Sequence, residues 1–443
     1  MTKLPPASPA LDITVDDLLD RAQRSAFGYF EQATDPVSGL VMDSTQPEAP
    51  CSIAGVGFAL AAYPIAVERG LMTRTQAIAI TLATLRFFRD ADMSGDAHAT
   101  GYRGFYFHFL DMGTGTRAWR SELSSIDTAF LVAGFRTAGL YFDRDSVPER
   151  EIRDIARLLD ERVDWRWMQD QGGAICHGWT PERGFLRYHW VGYAEGLLML
   201  ALALGSPWRP ATPAAYDAWC AGYRWRRIYG HWHLPAGPLF IHQYSHMWID
   251  FKGIQDAFMR EHGIDYFENS RRATLVQREY AIRNPKHFKA YCANCWGLTA
   301  CDGPGPREVI VGGRRRKLLG YAARGAPHGP DDGTVAPYAS VASLPFAPEV
   351  VLPTMEHIAH MMAEHEGYAP GNSFNPTWHD HGDGGLGWVS PWRFALNSGP
   401  VVLMVENYRS GLLWRLTKRC ENLRLGLHRA GFRGGWLDAT WSE

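Results

Sequence analysis

Residues 53–67 read IAGVGFALAAYPIAV, a run that is apolar at nearly every position and rich in alanine and glycine. Three later segments, residues 126–140, 191–204 and 401–414, have the same character. A helix without a polar face is buried on every side. These four segments therefore predict helices that lie inside the molecule.

A second kind of helical segment alternates with the first and is amphipathic. Apolar residues recur in it at helical spacing, as Ile152, Ile155 and Leu159 do, and its charged face should meet water. These segments are residues 75–89, 148–163, 348–364 and 416–428. Inner buried helices, each followed by an outer amphipathic helix, predict an all-α fold, an (α/α)6 barrel with functional loops at one end. Residues 173–188 predict a hairpin, and residues 309–318 are punctuated like a loop.

The domain organisation predicted from the sequence is simple. The 443 residues fit one large domain of six helix pairs, and no linker or repeat divides them. We expect residues 1–20 to form an N-terminal extension and residues 21–443 to form a single barrel domain.

Composition excludes several classes of partner. The formal net charge is −2, and the one dense basic run, Arg314-Arg315-Arg316-Lys317, is typical of a solvated loop, so we expect no nucleic-acid partner. An uninterrupted apolar stretch of about 20 residues is lacking, so we expect no membrane partner. Residues 1–10 lack a signal-peptide core, which predicts a cytoplasmic protein, or a periplasmic one if a leader was removed. The sequence leaves open whether the protein is a monomer or a homo-oligomer.

Two groups of residues resemble metal sites in part. His287, Cys292, Cys295 and Cys301 include a C-x-x-C pair, but a second pair at zinc-site spacing is missing. His242, His246 and Asp250 are spaced by four and would share a helix face. We interpret these histidines as hydrogen-bond partners of sugar hydroxyls, and we predict neither a metal nor another cofactor.

Aromatic residues are unusually placed. The chain has 17 Trp, 18 Tyr and 21 Phe, and many of the tryptophans, such as Trp119, lie in polar, glycine-rich loops. Aromatic faces stack on the apolar faces of sugar rings, although any single tryptophan can equally belong to the core. The candidate substrate-binding residues are Trp190, Tyr193, His242, Gln243, Tyr244, His246, Trp248, Trp296, Asp302, Trp378, Trp392 and Asn397.

Three carboxyl groups are the candidate catalytic residues. Cleavage of a glycosidic bond needs a protonated carboxyl and a second carboxylate. Glu195 stands at the mouth of an apolar helix, where desolvation should raise its pKa; the alternative is an ion pair with a residue such as Arg187. Glu122 and Asp127 open the preceding inner helix, where each can act in catalysis or cap the helix.

Several ordered motifs give the chain a family resemblance. They are Ser121-Glu122-Leu-Ser-Ser-Ile-Asp127, Gly192-Tyr193-Ala-Glu195, Trp248-Ile-Asp250, Tyr266-Phe-Glu268-Asn269, Asp332-Gly-Thr-Val-Ala-Pro337 and Val405-Glu406-Asn407-Tyr408. Together they resemble the glycoamylase-like domain family, which includes bacterial endo-β-1,2-glucanases and a domain of cyclic β-1,2-glucan synthases. The resemblance implies an (α/α)6 barrel with a glucan cleft, and it places the general acid on Glu195.

One departure from the family pattern concerns the base. Where the glucanases read Asp-Gln-Gly-Pro before the last inner helix, this chain has Asn397-Ser-Gly-Pro400, and an amide cannot accept the proton. Another carboxylate then serves as base, with Asp127, Asp302, Asp380 and Asp383 as candidates, or the chemistry differs. The sequence thus predicts a glycoside hydrolase for β-linked glucans, most of all β-1,2-glucan or its oligosaccharides. The alternatives are a transglycosidase, a hydrolase for another linkage and a catalytically silent glycan-binding protein.

Overall fold

The computed structural model describes residues 14–362, 372–378 and 386–439. Its helices are α1 (Val15–Ala33), α2 (Ile53–Glu68), α3 (Arg74–Asp90), α4 (Ser125–Tyr141), α5 (Val147–Glu161), α6 (Leu197–Gly205), α7 (Ala214–Ala221), α8 (Ala257–Glu261), α9 (Tyr266–Arg283), α10 (Pro337–Val341), α11 (Pro348–Met362), α12 (Ala395–Arg409), α13 (Leu412–Lys418), α14 (Glu421–Arg429) and α15 (Gly435–Asp438). Two 3-10 helices cover Leu239–His242 and Tyr244–Met247.

The strands are short and lie in the loops. They are β1 (Cys51–Ser52), β2 (Gly101–Tyr102), β3 (Phe105–Tyr106), β4 (Phe109–Leu110), β5 (Leu123–Ser124), β6 (Gly178–Thr180), β7 (Gly184–Phe185), β8 (Arg226–Ile228), β9 (His231–His233), β10 (Ala300–Cys301), β11 (Arg307–Val311), β12 (Arg314–Leu318), β13 (Ala322–Ala323), β14 (Phe374–Asn375) and β15 (Trp388–Val389). The described strands pair antiparallel, and β5, β6 and β7 form a three-stranded sheet.

The helices form the predicted (α/α)6 barrel. Helices α2, α4 and α6 pack side by side, the 3-10 helix at Tyr244–Met247 follows α6, and α10 and α12 lead back to α2. Outer helices cover this ring: α1 packs on α12, α5 on α4, α14 on α6 and α11 on α10. The barrel axis is filled by four aromatic rings, since Phe58 and Phe130 each lie within 6 Å of Tyr244 and Trp248. Because the axis is packed, a ligand can enter the barrel only from an end.

Two features at the N-terminus and in the loops differ from the sequence prediction. Helix α1 begins at Val15 and buries Leu18 and Leu19, so residues 15–20 belong to the barrel and not to an extension. Residues 309–318 form the β11–β12 hairpin instead of a loop, because Gly312 and Gly313 adopt the positive φ angles of a tight hairpin turn.

The last apolar and amphipathic segments also divide differently. The segment 401–414 is split at Gly411, which adopts φ 69° between α12 and α13. The segment 416–428 is likewise divided between α13 and α14. A left-handed glycine ends a helix without a steric penalty.

Across the described ranges, no helix is long and apolar enough to span a membrane. In the same ranges, no three His, Cys, Asp or Glu side chains are grouped so that they could hold a metal ion.

Candidate active site

The N-terminal ends of the inner helices gather the candidate acids at one end of the barrel. Glu195 lies in the turn before α6, and its backbone carbonyl accepts a hydrogen bond from the Ser245 hydroxyl at 2.8 Å. The same hydroxyl accepts the Leu198 N–H at 3.0 Å, which fixes the start of α6. Burial, with a further contribution from the Asp127 charge, raises the pKa of Glu195 to about 7. The Glu195 carboxyl therefore remains largely protonated in mildly acidic solution.

Asp127 occupies the first turn of α4 and is buried. Ser124 is the N-cap of this helix: its hydroxyl accepts the Asp127 N–H at 3.2 Å and donates to the Asp127 carboxylate at 2.5 Å. Since Ser124 caps the helix, capping does not explain the presence of Glu122 or Asp127. Both carboxyls remain available for other roles.

His108 joins these two carboxyls. Its Nδ1 lies 3.0 Å from Glu122 Oε1, and its Nε2 lies 3.5 Å from Asp127 Oδ2. Burial alone would lower the pKa of His108, but the charges of Asp127 and Glu122 outweigh it and raise the pKa to about 9. Although burial opposes ionisation of Glu122, the hydrogen bond from His108 keeps the pKa of that carboxyl below its usual value. At neutral pH the site thus holds an imidazolium between Glu122 and Asp127.

The backbone holds His108 in place from two sides. Its N–H donates to the Glu122 carbonyl at 2.8 Å, and its carbonyl accepts the N–H of Ile53, the first residue of α2, at 3.3 Å. The ring stacks on Phe109 with 4.0 Å between centroids. The sequence offered little signal for this residue, because His108 lies in an aromatic run and its partner Glu122 is 14 residues away.

Asp43 is a further acid that sequence reasoning did not select. Its carbonyl accepts the N–H of Ala395, the first residue of α12, at 2.9 Å, so Asp43 lies beside the start of that helix. Burial raises the pKa of Asp43 to about 6, the His108 charge opposes this change, and the Asp127 charge adds to it. Asp43 therefore belongs to the same charge cluster as His108 and Asp127.

Tyr321 is a second residue that the sequence did not indicate. Its side chain is half exposed, and its ring packs on Phe394 with 5.4 Å between centroids. The charges of Asp43 and Asp302 lie near its hydroxyl. Tyr321 therefore contributes a hydroxyl to the cleft.

The residues predicted to bind substrate fall into two groups. The first group is buried and comprises Trp190, His242, Gln243, Tyr244, His246, Trp248, Trp296 and Asn397. The second group is partly exposed and comprises Tyr193, Asp302, Trp378 and Trp392. The second group has surface that solvent reaches, whereas the first group has almost none.

The two histidines of the buried group have structural partners. His242 Nε2 accepts the Ala236 N–H at 3.2 Å, and its Nδ1 lies 3.3 Å from the Tyr193 hydroxyl. His246 Nε2 lies 3.0 Å from the Ser270 hydroxyl. Burial lowers the pKa of both imidazoles to about 3, so both are neutral. His242 and His246 lie in two short 3-10 helices. They therefore do not share the α-helix face that their spacing suggested.

Other buried residues of this group also bond to the protein. The Gln243 amide donates to Ala339 O at 2.6 Å and to Ser343 Oγ at 2.8 Å. Trp248 Nε1 donates to Thr137 Oγ1 at 3.1 Å within the barrel axis. Trp190 Nε1 donates to Ser125 Oγ at 2.9 Å, which ties the segment before Glu195 to the start of α4. Of these contacts, the Trp190 bond is the one that links the segments carrying Glu195 and Asp127.

The remaining candidate bases differ in position. Asp302 Oδ2 accepts a hydrogen bond from Ser390 Oγ at 2.8 Å, which links two loops. Asp380 and Asp383 lie outside the described residues. Among the described candidates, Asp127 is the carboxylate whose charge acts on Glu195.

A family model with the description "Putative glucoamylase" matches residues 187–421, more than half of the chain. The chain belongs to this Glycoamylase family. The match includes Glu195 and all of the candidate substrate-binding residues, but it begins after Asp43, His108, Glu122 and Asp127.

Relatives of the chain have named activities. An exo β-1,2-glucooligosaccharide sophorohydrolase (non-reducing end) of Parabacteroides distasonis is 27% identical over 458 residues. That match covers 94% of this chain and 58% of the relative, so this chain spans little more than half of that protein's length. The chain is similar to a family relative over nearly all of its own length.

Two solved structures extend the likeness to the whole barrel. The endo-β-1,2-glucanase of Chitinophaga pinensis, solved with sophorotriose and glucose, has a TM-score of 0.81 and 26% identity, and the match covers 96% of this chain and 100% of that one. A "putative glucoamylase" of Bacteroides uniformis has a TM-score of 0.85 and 29% identity, with 96% and 100% covered.

Proposed function

We propose that this protein is a glycoside hydrolase that cleaves β-1,2-linked glucose chains, with Glu195 as the general acid. The observation that carries the proposal is the environment of Glu195. Burial raises the pKa of this carboxyl to about 7, and the charge of the nearby Asp127 adds to the effect. A carboxyl that stays protonated near neutral pH beside a second carboxylate is the arrangement that glycosidic cleavage needs. The named activities of the Parabacteroides and Chitinophaga relatives support the choice of substrate.

In the proposed reaction, Glu195 and a second carboxyl each take part in one proton transfer. Glu195 donates its proton to the glycosidic oxygen while the bond between that oxygen and the anomeric carbon breaks. A water molecule forms the new bond to the anomeric carbon and gives its proton to a carboxylate, which we assign to Asp127. His108 lies 3.5 Å from Asp127 and supplies the opposite charge beside it.

The test combines kinetics with a product profile. Purified wild-type protein, Glu195→Gln and Asp127→Asn are incubated with linear β-1,2-glucan, its oligosaccharides and a panel of other glucosides. We expect new short β-1,2-linked products from the wild type. We expect Glu195→Gln to lower kcat by about 10²- to 10⁴-fold, the usual contribution of general acid catalysis, while substrate affinity changes little.

A matched control comes from a surface glutamate. Glu195, Asp127, Glu122, His108 and Asp43 form the acid cluster. Glu268 lies outside it and pairs with Arg272 one turn away on α9, so Glu268→Gln makes the same chemical change elsewhere and should keep near-normal turnover. Near-normal turnover by Glu195→Gln would remove Glu195 from the mechanism. Cleavage of another linkage alone would indicate a different hydrolase. Products longer than the substrate would indicate a transglycosidase, and tight binding without products would indicate a binding protein.

A further inference from the structure

Trp119 is exposed in an unusual way. It lies in the loop between β4 and β5, and 66% of its surface is accessible to solvent. Both Trp119 and the next residue, Arg120, adopt positive φ angles, 54° and 52°. Left-handed backbone is unfavourable for such side chains, and it persists where the surrounding structure enforces it. The backbone at these two residues forms a defined turn, which the Ser121 N–H closes by donating to the Ala118 carbonyl at 3.0 Å.

Arg117 is the side chain that enforces this conformation. Its guanidinium is buried and donates to Ser121 O at 2.5 Å and to Arg120 O at 2.8 Å. The opposite edge pairs with both carboxylate oxygens of Glu182, at 2.7 and 3.1 Å. Because both loop carbonyls are held by one fixed cation, the loop that carries Trp119 is rigid.

A continuous series of rings connects Trp119 to the acids. The Trp119 ring lies 5.0 Å from Phe109, the Phe109 ring lies 4.0 Å from His108, and His108 bonds to Glu122 at 3.0 Å. The Phe109 ring thus lies between Trp119 and His108, so Trp119 is close to the acid cluster without contacting it.

A cavity beside Trp119 has the size and polarity of a sugar subsite. Its volume is about 730 Å³, within the usual range of small-molecule sites. Its lining includes the indole together with Glu48, Asp111, Thr114 and Thr116, whose oxygens can bond to hydroxyl groups. An aromatic ring and several polar groups in one cavity match a pyranose ring, which has apolar faces and a polar edge.

We propose that Trp119 forms a distal subsite that binds a glucosyl ring of the substrate chain away from the bond that is cleaved. This inference rests on the proposed hydrolysis of glucose chains. The subsite makes cleavage depend on chain length, because only oligosaccharides long enough to reach Trp119 gain the stacking interaction. Trp119 is therefore a specificity-determining residue, and the cleavage step itself does not require it.

The test measures kcat/KM against oligosaccharide length for the wild type, Trp119→Ala and Trp119→Phe. The control is Trp208→Ala, since Trp208 is 73% exposed and lies beyond the C-terminal end of α6, whereas Glu195 precedes the N-terminal end of that helix. We expect Trp119→Ala to lower kcat/KM for long chains by roughly 5- to 50-fold and to change it less than about twofold for the shortest cleaved chain. We expect Trp119→Phe to recover most of the loss, because phenylalanine keeps an aromatic face. An equal change at every length, or no change at any length, would overturn the proposal.

Binding measurements separate this inference from the proposed function. Affinities of the β-1,2-linked oligosaccharides are measured by calorimetry in the Glu195→Gln background, with and without Trp119→Ala. If the wild type cleaves no glucoside, the hydrolase proposal fails, while a loss of affinity for long chains on removal of Trp119 still supports the subsite. If the wild type cleaves the glucan and Trp119→Ala leaves affinity unchanged at all lengths, the subsite alone fails.

Discussion

At the residue scale, the acid cluster keeps neighbouring carboxyls in different protonation states. Burial raises the pKa of Glu195, which has Asp127 as its charged neighbour. Glu122 is also partly buried, but it bonds to His108, and its pKa is lowered despite the desolvation. The histidine therefore decides which carboxyl stays ionised, and a proton remains on Glu195. The two glutamates differ in pKa because their environments differ, and this difference assigns the acid.

The same environment predicts the pH dependence of the reaction. Glu195 must be protonated to act as the acid, and its pKa is about 7, so we expect kcat/KM to fall as pH rises through about 7. The measurement is kcat/KM on a β-1,2-linked oligosaccharide between pH 4 and 10. Residual activity of Glu195→Gln should lack this decline. A decline centred near 9 would instead assign the ionisation to His108, whose pKa is about 9.

At the element scale, two glycines set the closest helix contact of the inner ring. A Cβ atom on Gly57 of α2 would lie 2.2 Å from the carbonyl oxygen of Phe130, and one on Gly134 of α4 would lie 2.5 Å from Gly57 O. The two backbones touch, and a methyl group has no room between them. Since α4 carries Asp127, this contact also fixes the position of one of the acids.

We therefore expect Gly134→Ala to destabilise the protein by about 1 to 3 kcal/mol, because overpacking outweighs the gain in helix propensity. The control is Gly28→Ala on α1, where the nearest atom to a new Cβ is Glu31 Oε2 at 3.9 Å. There alanine should be neutral or stabilising by up to about 1 kcal/mol. Denaturant unfolding of both variants measures the difference, and equal midpoints would contradict the role of the helix contact.

At the scale of the whole molecule, a buried ion pair joins the first and last parts of the ring. Glu406 on α12 is almost fully buried and accepts two hydrogen bonds from Arg69, both at 2.7 Å, at the C-terminal end of α2. It also accepts the Gln23 amide of α1 at 3.2 Å. These contacts join α12 to the first two helices of the chain, which are more than 300 residues away in sequence.

The pair predicts a stability effect that depends on pH. Burial opposes ionisation of Glu406, but the bonds from Arg69 and Ser410 outweigh it and lower the pKa. A lowered pKa contributes stability above the unfolded-state pKa, and this contribution is lost as pH falls through the folded-state value. We expect Glu406→Gln to lower the free energy of unfolding by about 1 to 3 kcal/mol at pH 7 and by less in acid, with kcat unchanged.

Denaturant unfolding at pH 7 and at about pH 2.5 tests this expectation, because the lowered pKa of Glu406 places the loss of its charge below the usual glutamate value of 4.5. The matched control is Glu279→Gln, which removes an exposed ion pair with Arg283 one turn away on α9 and should change stability little. A loss of stability that is the same at both pH values would show that packing, and not the charge of Glu406, joins these helices.

The amino-acid sequence by itself determined the barrel and pointed to Glu195 as the candidate acid. Burial on all sides is a local pattern, so the segments that became α2, α4, α6 and α12 were recognisable without their partners. Glu195 was recognisable because a carboxyl directly before such a helix has few structural roles. The hairpin at 309–318 and the break at Gly411 were missed, because single glycines decide them and apolar periodicity does not.

The tertiary structure alone decided which side chains surround Glu195. His108 contacts Glu122 and Asp127 because β4, β5 and the start of α4 come together, and no spacing in the sequence encodes that contact. Equally, Trp296 is buried and Trp119 is exposed, although both lie near glycines in polar stretches. The side on which an aromatic ring emerges depends on the backbone conformation and the packing around it, and both are properties of the assembled barrel.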